Sequence, residues 1–189
     1  IPYTGSIRIG EHELRTLNDA QRSEQISYLG HDPELMNDTL AENIRLGKEG
    51  EIAPVLEAVC LTQEVREMPD GENTLLGSGG VRLSGGQQAR AALARTLFHA
   101  RAILVLDDPF SAVDRLTEQE ILQHLRQLYP DRILLIFSHR LYQFPNFDGV
   151  LFLQDGAGHF GTHAQLMQEE PDYASLYREQ TKGGADHEA

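Results

Sequence analysis

Residues 82–114 read RLSGGQQARAALARTLFHARAILVLDDPFSAVD, and this stretch decides how the rest of the chain is understood. Ala89, Ala92, Leu93, Thr96 and Leu97 fall at i, i+3, i+4, i+7 and i+8, a single apolar stripe at helical period. Just ahead of it, Ser84 and Gln87 have the S-x-x-Q spacing of a capping box, and Gly85 and Gly86 leave the backbone amides uncovered by side chains. Amides at a helix N-terminus attract anions, phosphate above all. Many S-x-x-Q stretches cap a helix and bind nothing, so the segment that follows carries the weight. Ala102–Leu106 is an apolar run of strand length that stops at Asp107-Asp108-Pro109. Two carboxylates at the end of a buried strand serve no core. In open α/β sheets ligands lie beyond the carboxyl ends of the strands, so a metal or a phosphate is expected there.

The chain has 189 residues, 40% of them hydrophobic and 24% charged, which is the composition of one ordinary globular domain. Sixteen basic against 29 acidic residues give a net charge of −13, which argues against a surface for nucleic-acid phosphates. The longest apolar runs, 102–106 and 133–137, fall far short of the roughly twenty residues that span a bilayer. Any membrane role then goes through a partner. The one cysteine, Cys60, has no internal disulfide partner, and its neighbours Val59 and Leu61 favour a buried structural thiol in a reducing compartment.

Outside the central stretch, Pro2, Thr4 and Gly5 suggest a turn, and Ile7 and Ile9 alternate as in a strand ending at Gly10. Residues 26–30 (ISYLG) read as a second strand, followed by His31-Asp32-Pro33. Ile52, Val55, Leu56, Val59 and Cys60 have helical spacing, predicting a helix over 52–68 that ends before Pro69-Asp70-Gly71. Thr117 and Glu120 have capping-box spacing ahead of an apolar face running to Tyr129. Strand 103–106, helix 117–129 and strand 133–137 therefore form a βαβ unit with parallel strands, so the carboxylates and His139 are expected to leave the same sheet edge. Val150–Leu153 reads as one more strand, and 181–189 as a frayed tail.

Five motifs, in order, resemble those of the ATP-binding cassette (ABC) ATPases, and the resemblance covers nearly the whole chain. LSGGQ at 83–87 resembles the family signature, and ILVLD at 103–107 a Walker B strand with Asp107 as the magnesium-side carboxylate. Asp108 stands at the catalytic carboxylate position, Ser111–Asp114 resembles the D-loop, and His139 in FSHR resembles the switch histidine that meets the γ-phosphate. His31 occupies the place of a glutamine that senses metal and attacking water; its other reading is an exposed loop histidine without a role. The segment 37–44, NDTLAENI, resembles exporter-type members. Where those commonly have an acidic residue in a G-E-R-G segment, this chain has Gly77-Ser78-Gly79-Gly80, which implies altered communication between paired cassettes.

The resemblance implies an α/β fold of the P-loop NTPase-like ABC ATPase type, a partial RecA-like parallel sheet core plus an α-helical subdomain. Residues 1–30 would be core, 31–100 the helical subdomain with the signature, 101–160 core with Walker B, D-loop and switch histidine, and 161–189 a C-terminal helix and tail. It implies ATP and Mg2+ as cofactors, with Asp108, His139 and His31 catalytic, Asp107 at the metal, and Ser84, Gly85, Gly86, Gln87 and Asp114 at nucleotide. Because the family shares each ATP between two subunits, Asp107, Asp108, His139 and His31 would serve the chain's own site, and the signature that of a second cassette. No G-x-x-x-x-G-K-[ST] occurs; Lys48 and Lys182 are the only lysines, so the chain is expected to start just after the phosphate-binding loop. The implied protein is an exporter subunit at the cytoplasmic face of the plasma membrane, with transmembrane domains in the same polypeptide and a heterodimeric partner. Aspartate where the family has glutamate implies a weakly hydrolytic site. A truncated cassette that only completes a partner's site, and a soluble ABC ATPase of repair or translation, stay open at this point.

Overall fold

Gly10, at φ +55°, folds the N-terminal residues into a hairpin of two short antiparallel strands, β1 (Arg8–Ile9) and β2 (His12–Glu13). The sequence suggested one strand stopping at this glycine; His12-Glu13 has no apolar alternation to reveal the return strand. The computed structural model describes residues 4–183, so the expected turn at Pro2 lies partly outside the described residues, as does 184–189 of the expected tail. Two compact units are present, Ile1–Phe137 and Ser138–Ala189.

In the first unit, α1 (Asp19–Gln25) opens on a capping box between Asn18 and Gln21 and runs directly into β3 (Ile26–Leu29). No residue of α1 is buried, and its sequence has no apolar stripe to announce it. After α2 (Leu40–Arg45), the single helix expected over 52–68 is instead two, α3 (Ala53–Ala58) and α4 (Thr62–Glu67). The break is Cys60, whose φ of +55° is the left-handed backbone that ends helices. Its thiol lies 4.0 Å from His124 Nδ1, and burial, with Glu120 nearby, pushes it up to about 11, as suits a structural rather than a reactive cysteine.

The signature-bearing helix α5 (Gly85–Phe98) comes next, then β4 (Ile103–Asp107), α6 (Arg115–Leu128) and β5 (Ile133–Phe137). The three strands make one parallel sheet in the order β3–β4–β5, with Ile26 opposite Ile103 and Ile103 opposite Ile133. α5 packs on β3, α2 and α3, which explains why Ala91, Ala92, Leu93 and Ala94 are all buried: helices cover this helix on more than one side. Strand alternation does the rest. Leu29, Leu104 and Leu106 point into this core, while Tyr28, Ile133, Leu135 and Phe137 stay exposed. The helix expected to start at Thr117 starts two residues earlier, because the Asp114 carboxylate accepts from both Leu116 N and Thr117 N and is a better cap than Thr117.

The second unit is a small α+β body. β6 (Val150–Gln154) pairs antiparallel with β7 (Ala157–Gly161), and α7 (His163–Glu169) and α8 (Pro171–Gly183) follow. Helix therefore continues through 181–183, where a tail was expected. Val150, Leu166 and Tyr173 form its core, with Phe144, Phe152 and Met167 packed around them. Among the described residues no helix is long and apolar enough to cross a membrane.

Tyr173 is fully buried and its hydroxyl is hydrogen-bonded to His163 Nδ1 at 2.8 Å, with the imidazole lying against Tyr177. Burial lowers the His163 pKa, so folding favours the neutral ring. Its stabilising contribution is complete above the ordinary histidine range near ~6.5 and is lost as pH falls through the lowered folded value. Thermal melts of wild type and His163→Gln from pH 7.5 to 5 should show the wild type losing more stability on acidification. The His159–Glu170 ion pair is common to both proteins, so equal slopes would refute the assignment.

Candidate functional site

The first turn of α5 is built as its sequence suggests. Ser84 is extended, its Oγ accepts from Gln87 N at 3.2 Å, and Gln87 Oε1 accepts from Ser84 N at 2.9 Å, completing the capping box. Gln88 N donates back to Ser84 O. The amides of Gly85 and Gly86 fall among the first-turn donors that a helix leaves without intrahelical acceptors. The two glycines have different constraints. A Cβ on Gly86 would come within 2.8 Å of the Ala112 carbonyl oxygen, whereas one on Gly85 would make ordinary contact, 3.5 Å from Ala112 Cβ. The loop 108–113 therefore lies directly on the start of α5, and only glycine at 86 permits that approach.

The same loop begins with the carboxylates. β4 ends at Asp107, whose Oδ2 accepts from Tyr28 OH at 3.3 Å. Asp108 turns into the left-handed region at φ +48° while its N–H donates to Phe137 O, extending the β4–β5 pairing by one bond. Its side chain is only 11% exposed, and Oδ2 lies 3.8 Å from Nδ1 of His31. His31, Asp108, Gly85, Gln88 and Ala112 line one open cleft of about 280 Å³. Sequence positions separated by more than seventy residues thus meet there: the loop after β3, the end of β4 and the start of α5.

The remaining candidates have other surroundings. Asp114 is the N-cap of α6, and hydrogen bonds from the Thr117 side chain and backbone hold its carboxyl below the usual range. His139, two residues past β5, belongs to the second unit, where its carbonyl accepts from Gln180 Nε2 at 2.7 Å. Tyr28 was not foreseen; the only sequence signal is its place in strand ISYL, on the face opposite Ser27 and Leu29, where its ring stands exposed beside the end of β4.

Asp107 and Asp108 are the candidate metal-side groups. Among the described residues no group of three or more His, Cys, Asp and Glu could hold a metal ion. Magnesium keeps several waters and takes one or two carboxylates together with substrate phosphates, which Asp107 and Asp108 match as hard oxygen donors. The glycine amides of α5 suit phosphate oxygens.

Residues 1–111 match the family model described as ABC transporter. An ATP-dependent lipid A-core flippase of Nitrosococcus oceani is 35% identical over 97% of this chain and 32% of its own length. The transport ATP-binding protein AarD of Providencia stuartii is 36% identical, over 93% and 31% respectively. Among solved structures, a bacterial Atm1-family ABC exporter with ATP bound superposes with a TM-score of 0.87 at 30% identity, covering 96% of this chain and 33% of that one. The chain belongs to the ABC transporter family, and its fold is the mixed α/β fold of the ABC ATPases. It spans about a third of the length of these relatives.

The geometry at Ala112 separates the two signature glycines experimentally. Gly85→Ala should be neutral or stabilising by up to ~1 kcal/mol, since alanine favours helix. Gly86→Ala should cost about 1–3 kcal/mol, because the loop must move away from the added methyl. Urea unfolding of both variants measures the difference, and equal effects would show that the close approach imposes no constraint.

Proposed function

We propose that this chain is the ATP-binding and hydrolysing domain of an ABC exporter, paired with a second cassette, in which its own nucleotide site is the slow one. The observation that carries the proposal is the meeting of His31 and Asp108 in the cleft that also reaches the first turn of α5. ATP and Mg2+ are the implied cofactors, supplying the transferable phosphoryl group and the charge that steadies it. Asp107 would hold the metal with its water shell, its carboxylate oriented by Tyr28 OH. Asp108 would orient and deprotonate the attacking water, and His31 would sit beside it over the same phosphates.

Ser84, Gly85, Gly86 and Gln87 would close on the partner's nucleotide, and Asp114, by capping α6, would hold the loop between the two half-sites. The share of the relatives' length lying outside this chain supports transmembrane domains in the same polypeptide. The proposed seat of the domain is the cytoplasmic face of the plasma membrane. Phosphoryl transfer to water needs positioning and charge stabilisation from the protein rather than covalent chemistry.

Aspartate reaches about 1.5 Å less far than glutamate. A misplacement near 1 Å can cost on the order of 100-fold in rate, which is the ground for proposing a slow site and a heterodimer whose partner supplies the fast one. In the assembled exporter, with the partner's catalytic carboxylate neutralised so that only this site turns over, Asp108→Glu should raise kcat on the order of 10- to 100-fold. No gain would remove the basis for assigning this chain the slow site.

A further inference from the structure

The cleft described above is assembled from segments far apart in sequence, and a polar network ties two of them, the His31 loop and α5, together. Asn43, on α2, is completely buried. Its Oδ1 accepts from Met36 N at 2.7 Å, and its Nδ2 donates to the carbonyls of Met36 and Thr39, each at 3.0 Å, and of Asp38 at 3.3 Å. One amide side chain thus satisfies the backbone of the segment that follows the His31 loop.

The guanidinium of Arg95, on α5, completes the network. Its Nε donates to Asn43 O at 2.6 Å, its Nη2 to Asn43 Oδ1 at 3.0 Å, and its Nη1 to Glu34 O at 3.0 Å. One turn into α5 at the other end, Gln88 Nε2 donates to Pro33 O at 3.1 Å. Two side chains of one helix therefore grip consecutive carbonyls, Pro33 and Glu34, of the loop that carries His31. A planar guanidinium sets its donors on three separate nitrogens and can hold acceptors that lie well apart, which the single nitrogen of a lysine cannot span.

We infer that Arg95 and Gln88 are positioning residues: they fasten the His31 loop to α5, so that the seat of His31 beside Asp108 and the placing of Gly85 and Gly86 move as one body. The inference rests on the proposed function for the roles of His31 and the signature, and adds the physical link between them. Arg95 itself does not act on nucleotide. It lies ten residues along α5 from Gly85, about 15 Å at 1.5 Å per residue, so any effect it has on turnover is transmitted through the loop.

The link carries a directional consequence. A displacement of α5 at its N-terminus, where the partner's nucleotide would bind, is delivered to Pro33 and Glu34 two and three residues after His31. The chain's own site would then be completed only when the partner's nucleotide holds α5 in place. A free loop would lack this dependence.

Two variants and two readouts test it. Arg95→Lys keeps the charge and removes the three-acceptor grip; Gln88→Ala removes only the bond to Pro33, and keeps the test valid where Arg95→Lys lowers folding stability. In the 189-residue chain, hydrogen–deuterium exchange at Met36 and Asp38 should accelerate on the order of 10-fold in Arg95→Lys, while Ala91–Ala94 inside α5 stay protected. In the assembled exporter with the partner's site silenced, both variants should lower kcat while leaving KM for ATP within about twofold. Combined with His31→Ala, they should add little further loss, since each acts through His31.

Losses that simply multiply in the double variants, or loop exchange unchanged in both single ones, would overturn the inference. If His31→Ala alone leaves turnover untouched while the loop loosens as described, the assignment of His31 to the site is what fails, and the catalytic half of the inference falls with it.

Discussion

The approach of the Ala112 carbonyl to the first turn of α5 is the constraint on which the site depends. A backbone oxygen and a helix start come so close that no side chain fits at residue 86. Because of that contact, the loop leaving β4 is laid over the amides of Gly85 and Gly86, and Asp108 is left at its edge with His31 opposite. The left-handed turn at Asp108 belongs to the same arrangement: it bends the chain out of β4 while its N–H keeps one more bond to β5. The two halves of the proposed mechanism, the carboxylates and the signature, are therefore joined by packing within one chain.

Around this contact half-buried polar groups add to the apolar core of the first unit. Arg90 donates from Nη1 to Cys60 O, from Nη2 to Glu64 and from Nε to Gly86 O, which fixes α4 against the start of α5. Charge-assisted bonds of this kind, half-screened from solvent, lose much more when one partner is removed than the pair contributes net. The left-handed Cys60 between α3 and α4 is what brings its carbonyl within reach of that guanidinium. A helix running unbroken over 52–68 would carry the carbonyl away from it.

The sheet and its edge were legible because each strand is a short apolar run bounded by turn residues. ILVLD and ILLIF announced themselves, as did the stripe of α5 and the two aspartates that no core would keep. What the sequence concealed had one of two physical causes. Elements without an apolar period left no trace: the return strand His12–Glu13, and α1, which buries nothing. Contacts between distant positions left none either. Tyr28 meets Asp107 across 79 residues, Gln88 meets Pro33 across 55 and Arg95 meets Glu34 across 61. The family resemblance assigned a role to Asp107, but Tyr28, whose hydroxyl orients it, appears only once the chain is folded. Asp114 illustrates the reverse: its residue type fits a site, and its carboxylate is engaged in capping α6.

Under the proposed function the carboxylates of this chain and its signature glycines face different nucleotides. The direct measurement is the change in amide chemical shift at Gly85 and Gly86 of the isotope-labelled chain on adding Mg2+ and ATP, alone and with an equimolar unlabelled cassette that carries its own phosphate-binding loop. Both glycine signals should shift only in the mixture, at the nucleotide held by the partner. Equal shifts with and without the second cassette would contradict that division, and would put the signature at the chain's own nucleotide.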